Sequence, residues 1–181
     1  MGKVFIGILV VISGMAAVSA SAFQDRYLTH DNFTLIGDKH ERARHFAVCA
    51  AIYEAAAVVH ENLFDQAAEG KQMRELSYGA KVAVSMTFVA GMGDLNDDAI
   101  KERFKATWDF AKLMAETMPA TVTTVLEADM SKATDEDSLM NVLKPIFETA
   151  TICMNNLEFQ QVMIDLWREL AMSGLVTSPS E

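Results

Sequence analysis

An all-α bundle of five or six helices is predicted for this chain, and three observations predict it. Apolar residues recur at three- and four-residue spacing along nearly the whole sequence. Strand signals are scarce, and only three prolines occur in 181 residues. Capping-box-like pairs and glycines fall where successive helices would start and stop.

Residues 1–22 stand apart from that bundle and read as a cleavable secretory signal. Lys3 supplies the positive n-region, and Val4 to Val18 is apolar apart from Gly7, Ser13 and Gly14. Ala20-Ser21-Ala22 then places small residues at −3 and −1 for cleavage after Ala22. Val18-Ser19-Ala20 offers a second-choice cleavage after Ala20. The apolar run is shorter than the roughly 20 residues of a bilayer span and holds two glycines, which weighs against an uncleaved anchor. The short n-region and the Ala-Ser-Ala ending have a bacterial form. The expected destination is the periplasm or the exterior.

Residues 23–181 are expected to form a single all-α domain. Residues 23–37 read as an irregular N-terminal arm, with Phe23, Tyr27, Phe33, Leu35 and Ile36 available to dock on the core. Asp38 and Glu41 form a capping-box-like start for the first helix. It is expected to run to about Ala68 and stop at Gly70. From Phe46 to Val59 only Glu54 is charged, so this helix should be central and buried on most sides. Ala43, Ala47, Ala51 and Ala55 give it a small-residue ridge for a close neighbour.

A second helix is expected over about Lys71–Ala90, ending at the flexible Gly91-Met92-Gly93 turn. Asn96 or Asp94 should cap a third, with Asp97 and Asp98 against its positive dipole end. Its stripe is Ile100, Phe104, Trp108, Ala111, Met114 or Ala115, and Met118, and Pro119 should end it. Thr121–Met130 reads as a short fourth helix. Thr134 and Asp137 start a fifth that reaches about Met154, with Pro145 expected to kink or divide it. A last helix, about Leu157–Ser173, carries Phe159, Val162, Met163, Leu166 and Leu170 inward. Gly174 closes it, and residues 175–181 form a tail.

Cleavage removes Lys3 and leaves 14 Lys+Arg against 25 Asp+Glu, a formal charge of −11. Such a surface repels phosphate backbones and anionic headgroups, so nucleic acid and membrane surfaces are poor partners. A basic partner fits better. Cys49 and Cys153, exported to an oxidising compartment, are expected to pair as one disulfide stapling the first helix to the fifth.

One stripe of the first helix carries Glu41, His45, Cys49 and Tyr53 at four-residue steps, and His60 falls near it. These residue types suit a metal only with Cys49 reduced. With Cys49 oxidised, and Glu41–His45 an ordinary i,i+4 pair, no metal or cofactor is expected. All four histidines, His30, His40, His45 and His60, fall within one 31-residue stretch, but His40 and His45 sit about 140° apart on a helix and do not chelate together. Glu54 has only Ala50, Ala51, Ala57 and Val58 as helical neighbours. A buried Glu54 therefore needs a cation from another helix or a raised pKa. Arg168 on the last helix is one candidate partner. In a pocket, Glu54 would instead be a general acid or a ligand contact.

Known catalytic patterns fail. Asp94-Leu95-Asn96-Asp97-Asp98 opens like an EF-hand loop but has Ala99 at the sixth position and Lys105 at the twelfth. Gly91-Met92-Gly93 lacks a third glycine and a preceding strand. There is no Glu-x-x-His pair, no Cys-x-x-Cys-His and no Gly-x-Ser-x-Gly. The expectation is thus an exported, acidic, non-enzymatic protein that binds another protein, as an inhibitor or adaptor. The alternative is a carrier or sensor of an apolar small molecule held inside the bundle, using the ten methionines of the mature chain as adaptable filler.

Overall fold

Helix α1, Lys39–Leu63, starts where Asp38 accepts a hydrogen bond from the Glu41 N–H at 2.8 Å. The computed structural model describes Leu28, residues 30–90, Met92 and residues 98–176. The signal segment, Phe23, Tyr27, the turn glycines Gly91 and Gly93, the Asp94 and Asn96 caps and residues 177–181 lie outside those residues. Four more helices follow: α2 Ala67–Val89, α3 Asp98–Met130, α4 Glu136–Asn155 and α5 Leu157–Met172. Among the described residues there is no strand, and no helix is long and apolar enough to cross a membrane.

α1 and α2 form an antiparallel hairpin at the centre. Residues 45–53 of α1 are all buried, as are Val82–Val89 of α2. Neither run contains a charged side chain, and the one titratable ring, the buried imidazole of His45, is neutral. The Ala ridge delivers its close approach, with Ala43, Ala47 and Ala51 buried and the Ser77 hydroxyl donating to the Ala50 carbonyl at 2.9 Å. The continuously buried stretch nonetheless ends at Tyr53: beyond it Ala57 is buried but Val58 and Val59 face solvent.

Gly70 does not stop the first helix. α1 ends seven residues earlier, where Asp65 takes a left-handed φ of 53°, a conformation Asp tolerates. Gly70 lies inside α2's first turns, where a Cβ would come 2.4 Å from Glu61 Cγ. Its role is close packing across the hairpin.

Pro119 does not end α3, and the two helices expected on either side of it are one. Phe104, Trp108, Ala111, Ala115, Val122 and Leu126 are buried, and that stripe keeps its spacing straight through the proline. Burial of large side chains such as Phe104 and Trp108 is worth about 2–3 kcal/mol each. Together they outweigh the roughly 3 kcal/mol cost of one interior proline. Pro145 likewise sits within an unbroken α4. α4 begins on a capping box, with Asp135 accepting from the Ser138 N–H at 2.7 Å and Ser138 Oγ accepting from the Asp135 N–H at 3.1 Å.

α5 packs on α2 at Gly79, where a Cβ would meet Gln160 Nε2 at 2.6 Å. Of its expected inward residues Met163 is buried, but Val162 points to solvent. The arm docks through Leu28, Phe33 and Ile36, while Leu35 is 79% exposed. The 3-10 turn at Phe33–Leu35 explains this: three residues per turn put Phe33 and Ile36 on one side and Leu35 on another.

Candidate functional site

The Cys49–Cys153 disulfide is formed, with the two Cα atoms 5.5 Å apart. It joins the buried middle of α1 to the C-terminal end of α4. The Cys49 thiol is thereby consumed, so the Glu41, His45, Cys49, Tyr53 stripe offers no thiolate. Among the described residues no three His, Cys, Asp or Glu come together to hold a metal.

The remaining candidates disperse. His45 is fully buried; its Nδ1 lies 2.8 Å from the Glu41 carbonyl, which can only accept, so Nδ1 carries the proton. Nε2 is buried without a partner. Phe33 packs on the ring edge-on at 5.1 Å, and the His30 ring lies 5.7 Å away. Protonation would strand a second N–H in this apolar setting, so burial holds the His45 pKa below its ordinary value. Tyr53 is buried against α4, its hydroxyl 3.7 Å from Met154 Sδ, and burial pushes its pKa up to about 12. His60 pairs with Gln66 Oε1 at 2.8 Å and helps close the α1–α2 turn.

Glu54 does not pair with Arg168. Its partner is Arg74 of α2, which also grips Glu61 with two hydrogen bonds of 3.0 and 2.6 Å. The hairpin turn at residues 64–66 brings residues about equally far from it on either helix face to face, which places Arg74 near Glu54, and its long side chain also reaches Glu61 two turns nearer the turn. Arg168 projects from α5 and holds Asp165 at 2.8 Å. The guanidinium holds the Glu61 carboxyl below its ordinary pKa. This cluster is a fastening of the hairpin, not a pocket.

What the structure adds is the exposed apolar face of α4. Only Thr149 and Cys153 of this helix are buried. Met140 (52% exposed), Phe147 (61%) and Met154 (47%) lie at seven-residue steps along one line. Leu143 lies beside them, while Leu139, Val142 and Ile146 continue the Thr149–Cys153 face inward, each only partly covered. Residues 127–148 carry six carboxylates against two lysines, Lys132 and Lys144. Sequence periodicity signals an amphipathic helix here, but the pattern alone does not say whether a neighbour covers the stripe.

Two grooves open elsewhere. One, between α1 and α3, encloses about 220 Å³ and is lined by Ala47, Met114, Met118 and Val122 with Arg44 at its edge. The other, about 340 Å³, lies between Lys39, His40, Phe88, Arg103 and Phe110. No protein-family model, curated protein or solved structure matches the chain.

Proposed function

We propose that this protein acts outside the cytoplasm as a non-enzymatic binding module, docking a basic amphipathic segment of a partner protein on the face of α4. The observation that carries this reading is the line Met140, Phe147, Met154 on a helix in which no side chain of residues 136–148 is fully buried. Contiguous apolar exposure of this kind marks interaction surfaces, and an aromatic ring among methionines suits an adaptable contact. The surrounding carboxylates favour Lys and Arg on the partner. Export draws its support from the N-terminal signal pattern and from the disulfide, a bond that persists in oxidising compartments. The alternative of an apolar cargo would rely on the 220 Å³ groove, below the roughly 300 Å³ at which small-molecule sites begin.

Photo-cross-linking in the secreting cell tests this reading. A cross-linker at position 147 should capture one protein through a Lys/Arg-rich amphipathic peptide, and the yield should collapse in Met140→Ser. A cross-linker at exposed Lys71 of α2 should capture nothing comparable. Equal capture from both positions, or none from 147, contradicts it.

A further inference from the structure

The groove at the start of α1 is a local inversion of the molecule's charge. In a chain of formal charge −10, its lining brings together Lys39, His40 and Arg103 and no carboxylate. Among the described residues none of the three has a hydrogen bond or ion pair. Asp38 caps α1, and Asp109 pairs with Lys112 at 3.0 Å. The walls are aromatic. Phe88 is buried at the base and meets the Phe110 ring edge-on at 5.3 Å and the His40 ring at 5.2 Å. Phe110 stands at the rim, 44% exposed. Ala106 and Thr107 complete the floor with short side chains.

Two cations and an imidazole stand around an open aromatic groove of about 340 Å³, the combination of convergent polar groups and apolar wall by which small ligands are oriented. We propose that this groove binds a small anionic ligand bearing an aromatic or planar apolar body: the ring lies against the exposed side of Phe110, which Phe88 backs from below, and the anion meets Arg103, Lys39 and His40. Arg103 has the planar fork that suits a carboxylate. The site is separate from the α4 face and needs no partner protein.

2-Naphthoate, a rigid aromatic carboxylate, is the probe, titrated into isotope-labelled mature protein and followed by two-dimensional NMR. Saturable shifts are expected on Lys39, His40, Phe88, Arg103 and Phe110. Neutral 2-naphthalenemethanol should bind roughly tenfold more weakly, since a charge-assisted hydrogen bond is worth about that factor or more. Arg103→Gln and Phe110→Ala, both on the helix surface, should each weaken naphthoate at least about tenfold, while Lys112→Gln should leave it unchanged. No saturation at millimolar naphthoate, shifts centred on Met114 and Met118 instead, or equal affinity for the alcohol would overturn the assignment.

Discussion

The second half of α2 and the first half of α4 are both apolar helical segments, yet they live in opposite conditions. Val82–Val89 is buried residue after residue, enclosed by α1, α3 and α5. Residues 136–148 have no fully buried side chain, and Leu139, Val142, Leu143 and Ile146 are only partly covered. The difference is one of attachment. α2 is held by area: its side chains leave water on every side, and each contributes about 25 cal/mol per Å² of apolar surface removed. α4 is held by points. The disulfide fixes Cys153, Thr149 is buried one turn before it, and Asn156 ties the α4–α5 junction to the N-terminal arm. Asn156 accepts from the Phe33 N–H at 2.9 Å and donates to the Asp31 and Ile152 carbonyls at 2.9 and 2.8 Å. A helix pinned at one end keeps its apolar face free for something else.

The sharpest way to break this contrast is to cut the pin. The disulfide spans a sequence separation of 104, for which chain entropy sets an upper limit of about 4–5 kcal/mol. Cys49→Ala and Cys153→Ala should lose similar amounts in urea melts, and the double variant no more than either. Additive losses would mean that each cysteine acts through its own packing and that no shared pin exists.

Asn156→Ala is the next largest. It leaves the Phe33 N–H and the Asp31 carbonyl without partners, which should cost about 2–3 kcal/mol in the same melts. The resonances of Phe33 and His45 should shift while those of Val82–Val89 stay. Uniform shifts throughout α2 would show that the arm is part of the central core and not a separately tied element.

His45 gives the smallest and most selective effect. Its folded pKa lies below the ordinary value of 6.5, so as pH falls below that value the unfolded chain takes up the proton first. Stability should be unaffected by this group above 6.5 and should decline on acidification until the folded pKa is passed. His45→Phe should flatten that part of the pH profile. The groups facing the ring are Glu41, Arg44 and His30, and a slope unchanged in His45→Phe would assign the pH response to another group.

How much of this was legible follows from the same contrast. Local signals read well: the Asp38 cap and the glycine after α5, and the expected pairing of the two cysteines is also found. Area-driven features read well where charge is missing over a long run, as in residues 46–53. The same signal was present in Val82–Val89 and marks it as equally central. Pairings between helices read poorly. Glu54 needs a cation, but choosing Arg74 over Arg168 requires knowing that the chain turns at residues 64–66 and that Gly70 belongs to the second helix. Pro119 misled because its local cost is visible in the sequence, whereas the buried stripe that overrides it is a property of the packed state. The α4 face is hidden for the reverse reason: its amphipathic pattern is plain, and only the packed structure shows the stripe left uncovered.

Amide hydrogen exchange on the oxidised, partner-free protein tests the central claim most directly. Amides of residues 136–148 should exchange roughly 100-fold or more faster than those of residues 45–53 and 82–89, since few buried contacts oppose their opening. Equal protection in all three segments would contradict the account, because α4 would then belong to the cooperative core and its apolar face would not be free to dock a partner.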